Sequence, residues 1–321
     1  MKKILFCLLC IVTINSVLAA NLTIEADRQE YSGTDNKAVF EGNVKVQLDD
    51  VTIQSPTANA EIDKDTNKIK LATFNKNAYV YQVKNNKKNE VKADIIKLSL
   101  LNNLVVAEGN SQIIVTENKK LEPVVTVNAD KQEYNTETKV MTATGDVIIV
   151  YEDSTSYSDK AVAKMDKNGD VQELQIIGNA KIKQEKNRFN ADKYTYKTAT
   201  GDVIAIGNVY SEIHDDKKED LVITVKSGFQ QYNRNANTLV ASKDVFITYK
   251  DYTAEGPKAN VFPDPKTGKL NKVVFSGRSK ITEKGRTIEA DRIVMTMEPK
   301  NFTAEGNVKS FNPNVKSISN D

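Results

Sequence analysis

His214 is the single histidine of the chain and stands in the run His214-Asp215-Asp216-Lys217-Lys218-Glu219-Asp220. A Ser–His–Asp relay is the chemistry such a residue could serve. No nucleophile-elbow sequence accompanies it, and the charged run reads as a solvated loop. One histidine also excludes any site that needs two, which removes most zinc hydrolases. The other candidate chemistry is a series of acids: Asp27, Glu61, Asp94, Asp130, Asp159, Asp192, Glu255 and Asp291. Repeated carboxylates suggest repeated calcium sites. The glycine-rich nonapeptide of calcium-binding β-rolls is missing, and the acids lie a full repeat apart. They read instead as strand-end or turn residues whose carboxylates accept backbone hydrogen bonds. The sequence therefore points to no catalytic residue, no metal and no cofactor.

The acids belong to an internal repeat. An apolar-x-Ala-Asp element occurs at Ile24–Asp27, Val91–Asp94, Val127–Asp130, Phe189–Asp192 and Ile288–Asp291. Each is followed, always 15 residues after the acid, by Gly-Asn or Gly-Asp at 42, 109, 145, 207 and 306. Degenerate copies fill the gaps. Ala60-Glu61 leads to Lys76-Asn77, and Ser227-Gly228 to Lys243-Asp244, both at the same spacing. Ser158-Asp159 leads to Gly178, and Ala254-Glu255 to Gly277, both with insertions. The result is about nine repeats with a period near 33. Around each glycine, apolar residues alternate with period two, as in Phe40, Val44 and Val46, which is a strand signal. Asn-rich breaks at 85–86, 167–170 and 233–237 supply turns. The glycines read as bulge or close-approach positions.

In register, the repeats define three uncharged columns. They lie two residues before, two after and four after the glycine position. The larger members are Phe40, Val44, Val46, Phe74, Val80, Ile113, Val147, Ile149, Ile176, Ile182, Val209, Val245, Ile247, Phe275 and Ile281. Small members such as Ala107, Ala143, Ala205 and Ala241 leave room beside them. One repeat buries too little alone, so neighbours must stack and cover one another.

Composition bounds the function. The 321 residues carry 45 Lys and Arg against 43 Asp and Glu. Without Lys2 and Lys3 the charges balance, which argues against a nucleic-acid partner held by bulk positive charge. Residues 1–19 read as a secretory signal peptide: a basic start, a short apolar stretch over Ile4–Ile14, and Val17-Leu18-Ala19 before the cut. Both cysteines, Cys7 and Cys10, fall inside it, so the exported chain has no thiol chemistry. No other stretch is long and apolar enough for a membrane-spanning helix.

The pattern apolar-x-Ala-Asp followed by Gly-Asn-Val resembles the OstA-like family. That family includes the periplasmic lipopolysaccharide-transport protein LptA and the N-terminal domain of LptD. Ile24–Asp27 with Phe40–Val46, and Ile288–Asp291 with Thr303–Val308, match most closely. The resemblance covers essentially residues 22–310. It implies an all-β, elongated open β-jellyroll of V-shaped stacked sheets, with about four short strands per repeat and an apolar inside that carries acyl chains. The chain holds about twice the repeats of an LptA-like protein. It is expected as one continuous jellyroll over residues 20–310, or as two tandem units, 20–150 and 151–310, with a polar tail at 311–321. The reading is a non-catalytic periplasmic carrier or bridge for lipopolysaccharide or a similar amphiphilic lipid, with related jellyroll proteins at the inner and outer membranes as partners. Leu22, Ile24 and Val308 are candidates for edge pairing and head-to-tail self-association. The alternatives are a structural β-repeat protein with a filled core, and an LptD-like plug domain without its barrel.

Overall fold

The structure, a computed structural model, describes residues 22–66, 68–84, 87–117, 122–215, 218–264, 270–297 and 300–313. The leader and residues 314–321 of the tail lie outside them. Among the described residues there are only strands and turns, and no helix. The chain divides into two compact units between Ile177 and Gly178.

In the first unit the order is β1 (Leu22–Glu25), β2 (Arg28–Ser32), β3 (Lys37–Leu48), β4 (Val51–Ile62) and β5 (Ile69–Lys84). It continues with β6 (Lys87–Ser99), β7 (Leu104–Glu117), β8 (Val125–Asn135), β9 (Val140–Tyr151) and β10 (Ser154–Met165). Strand β11 (Val171–Gln184) contains the boundary. The second unit holds β12 (Asn187–Lys197), β13 (Asp202–Asp215), β14 (Lys218–Asn233), β15 (Thr238–Tyr249) and β16 (Tyr252–Pro263). It ends with β17 (Leu270–Glu283), β18 (Arg286–Met297), β19 (Lys300–Glu305) and β20 (Lys309–Phe311).

From β3 to β10, and from β12 to β18, each strand pairs antiparallel with the next in sequence. The Asn-rich turn at 233–237 closes the β14–β15 hairpin as expected, the one at 167–170 joins β10 to β11, and the one at 85–86 lies outside the described residues. Asn233 Oδ1 accepts from the Ala236 N–H at 2.7 Å, and Asp166 Oδ1 from the Asn168 N–H at 2.8 Å.

The repeat is a bulge. At every glycine position but Gly277, where Gly277 alone does so, two consecutive residues take positive φ, as at Gly42 (75°) and Asn43 (44°) or Gly109 (75°) and Asn110 (47°). The pairing register slips there: Lys92 pairs with Gln112 but Ile95 with Glu108, so Gly109 and Asn110 together oppose Asp94. A two-against-one bulge bends the strand without ending its ladder. Each repeat is therefore two long strands, such as the 16-residue β5 and the 13-residue β6, and not four short ones. Both arms of one bent strand contribute to one core. Phe275 before the bulge of β17 and Ile281 after it belong to a single buried cluster with Val245, Ala259, Ala290 and Ile293.

Outward positions carry the balanced charge. Cross-strand pairs such as Lys97–Glu108 (2.7 Å), Arg28–Glu41 (3.0 Å) and Arg292–Glu305 (2.7 Å) occupy that face. Their side chains are a third or more exposed, so each contributes little to stability. The first and last strands have one ladder each. β1 and β2 both pair with β3, and β19 and β20 both pair with β18.

Candidate functional site

The acids are latches on the bulges. Asp27 donates its N–H to the Gly42 carbonyl at 3.0 Å, and Asn43 Nδ2 donates back to Asp27 Oδ2 at 3.0 Å. Asn110 to Asp94 (3.1 Å), Asn208 to Asp192 (3.1 Å) and Asn307 to Asp291 (2.8 Å) repeat the bond. The carboxyl lies flat over the glycine, so a Cβ on Gly145 would stand 2.1 Å from Asp130 Oδ2. Asp94, Asp192 and Asp291 are thus mid-strand residues held by a side-chain amide, whereas Asp27 stands at a strand end, in the break between β1 and β2, and Asp130 faces Gly145-Asp146, which offers no side-chain amide.

Two of the expected acids are out of place. Glu61 pairs with Lys37 and Leu71, five residues from the bulge; Pro56 occupies the bulge position instead. Glu255 pairs with Phe246 and Lys280, and Pro257 faces Gly277. Proline lacks the N–H that the aspartate donates, but a bulge is a place where a missing donor is tolerated. In β14 and β15 the sizes are exchanged. Gly228 faces Lys243, whose Cβ would lie 2.8 Å from a Cβ on that glycine.

His214 is also placed differently from expectation. It is the penultimate residue of β13, pairing with Val222, and its Nε2 lies 3.0 Å from Glu212 Oε1 with 23% of the side chain exposed. The ladder runs on into the charged run, so no solvated loop begins at this residue. Among the described residues no cluster of His, Cys, Asp and Glu could hold a metal ion.

The apolar columns face inward. Val44, Val46, Phe74, Val80, Ile113, Val147, Ile149, Ile176, Val209, Val245, Ile247, Phe275 and Ile281 are all buried. Phe40 and Ile182 are half-buried. Leu22 and Val308 are exposed and Ile24 is half-buried; Leu22 and Ile24 lie on β1, and Val308 lies in the break between β19 and β20. The even-numbered strands lie between these in the same sheet and add, in register on the same face, Ile53, Ala58, Ala93, Ile96, Val127 and Ala129, all buried. Column reading passed over these, although the apolar-x-Ala of the repeat is their signature: Val91 and Ala93, or Val127 and Ala129, alternate inward.

Half-buried apolar side chains border each core. In the first unit Ile24, Phe40, Ala72, Val91 and Leu98 pack on the buried cluster; in the second, Ile223, Tyr249, Val261, Leu270, Met297 and Phe302 do so. In the second unit Ile247, Tyr249, Tyr252, Leu270, Val273, Phe275, Ile281 and Met295 line a small recess of about 10 Å³.

Against this geometry, a family model described as "LptA/(LptD N-terminal domain) LPS transport protein" matches residues 23–121 and again 126–227. The chain belongs to this family. Members are transport proteins by description, and the latched bulge is what the family's Asp and Gly-Asn motifs build in this chain. Among solved structures, LptH of Pseudomonas aeruginosa is similar. It is described as the LptA homologous periplasmic component of the conserved lipopolysaccharide transport device. Identity is 19%, the match covers 41% of this chain and 95% of that one, and the TM-score is 0.36. The search of curated proteins gave no match.

Proposed function

We propose that the chain carries an amphiphilic lipid of the lipopolysaccharide class across the periplasm, without catalysis, by holding its acyl chains against the inward face. The observation that carries this reading is the chemistry of that face. Both arms of the bent strands present apolar or small side chains inward, and the borders of each core remain half-open. Family membership supports the same role. An acyl chain laid along the border gains about 0.8 kcal/mol per buried methylene and needs no polar contact to its tail. The charged headgroup stays outside, beside the outward salt-bridged face.

A filled structural core is the competing arrangement, and the half-buried apolar side chains that border each core, together with family membership, favour the carrier. The two matches of the family model support a tandem of two family units as the origin of the doubled length. The outer edges of β1–β2 and β19–β20, unpaired among the described residues, suit strand addition by another copy or by related jellyroll proteins at the two membranes.

The test compares adjacent residues on opposite faces. Ile247 points into the recess, whereas Phe246 is outward and 37% exposed. A small diazirine side chain at 247 should capture lipid in native envelopes, and the same group at 246 should not. Equal capture at both positions would reject the inward face as the carrier surface.

A further inference from the structure

The inward face is not uniformly apolar. In β8, Gln132 and Tyr134 stand two residues apart, both buried, at 3% and 4% exposure. Gln132 Nε2 donates to the carbonyls of Ser111 (3.1 Å) and Val127 (3.2 Å). Two carbonyl acceptors fix the amide's orientation, since the reverse would set oxygen against oxygen. Gln132 Oε1 therefore points away from them, and it has no partner among the described residues. The Tyr134 hydroxyl has none either. A buried polar atom left unpaired is costly, so such a pair within one strand calls for an account.

The second unit contains the same device in a closed form. Gln230 and Tyr232 occupy the same positions, two and four residues after the bulge-facing residue (Gly228 there, Asp130 here). Gln230 Nε2 likewise donates to the carbonyl five residues back, Val225, at 3.3 Å. There, however, Ser211 Oγ donates to Gln230 Oε1 at 2.8 Å, and the Tyr232 hydroxyl donates to Asn237 Oδ1 at 3.2 Å. In the first unit the residue at the register of Ser211 is Ile113, and the one at the register of Asn237 is Lys139. The two internal partners are replaced and the two polar atoms are kept. Ala107 and Ala143 flank Gln132 on the neighbouring strands, so the space beside it is lined by small side chains.

We propose that Gln132 and Tyr134 form a polar station within the apolar interior, which takes a hydroxyl group carried on an acyl chain. One hydroxyl satisfies both atoms: it donates to Gln132 Oε1 and accepts from the Tyr134 O–H. Burial raises the Tyr134 phenol above its ordinary range, which keeps that proton in place at neutral pH. The proposal rests on the acyl-carrier reading above and narrows its ligand from acyl chains in general to hydroxylated ones.

The experiment measures binding of 3-hydroxydodecanoate and dodecanoate to the purified full-length protein by calorimetry, below their micelle concentrations. Two added hydrogen bonds in a dry site predict about tenfold tighter binding of the hydroxylated acid. Tyr134→Phe should reduce that preference to near one while leaving the melting temperature unchanged or higher, because it removes an unpaired buried hydroxyl. Tyr232→Phe, which breaks the bond to Asn237, should lower the melting temperature and keep the preference. Equal binding of both acids to the unaltered protein would overturn the station and leave the carrier reading standing. Binding of neither acid would overturn the carrier reading and the station with it. A fall in melting temperature for Tyr134→Phe would show that the hydroxyl serves the fold, and would overturn the proposal even if the variant no longer discriminated.

Discussion

The latch makes glycine obligatory for two separate reasons, and they can be measured apart. Gly145 has φ +78°, where a side chain costs about 1–3 kcal/mol, and its missing Cβ leaves the place taken by the Asp130 carboxyl. Gly145→Ala should therefore destabilise by about 3 kcal/mol in urea unfolding. Asp130→Ala removes the carboxyl, although its Cβ stays 2.8 Å from the added one, and leaves the strained backbone. In the double variant, about 1 kcal/mol of the alanine cost should be recovered as coupling between the two sites. Purely additive costs would show that the carboxyl does not stand over the glycine. The bulges of β5 and β15 show the same balance from the other side. Lys76 and Lys243 hold φ of 67° and 66°, and the residues set across from them are Pro56 and Gly228, which present no carboxylate.

Strand pairing shows why part of this was legible in the sequence. Five copies keep the acid and glycine 15 residues apart because a fixed hairpin joins them, and for these the bulge, the inward columns and the strand identity all follow from spacing. Where the hairpin is longer, spacing misleads. Glu61 sits at the right distance from Lys76, but the β4–β5 turn holds more residues, and the true counterpart is Pro56. Proline carried no signal because only the aspartate motif was being followed. Gln132 and Tyr134 were missed for another reason: their meaning lies in absent partners, and those depend on Ile113 and Lys139 from neighbouring elements. Val308 is exposed in the break between β19 and β20, which form the last rung among the described residues. The same unpaired edges carry a prediction. A sheet with two open edges offers heterologous, non-closing contacts, so association should rise continuously with concentration and not stop at a dimer. Sedimentation velocity over a hundredfold concentration range measures this; a single monomeric species throughout would exclude edge addition.

Across the molecule, the interior holds tyrosines where a filled aliphatic core would hold leucine. Burial raises the phenols of Tyr134 in the first unit and of Tyr194 and Tyr232 in the second above their ordinary range; Arg234 partly opposes this at Tyr232. A raised pKa in the folded state means that the folded chain holds protons the unfolded chain would release. The stability this contributes is complete below the ordinary tyrosine range and is lost as pH climbs through and beyond about 10. Both units carry such groups, so both should weaken together in alkali although the outward ion pairs still hold their charges near pH 9. Thermal unfolding followed by circular dichroism should give a nearly constant midpoint from about pH 7 to 9 and a steep fall above about 10, with tyrosinate absorbance rising as the strands melt. Replacing Tyr194, whose hydroxyl has no partner among the described residues, by phenylalanine should flatten that fall. A midpoint that dropped equally steeply in Tyr194→Phe would assign the alkaline loss to surface lysines and remove the interior tyrosines from the account.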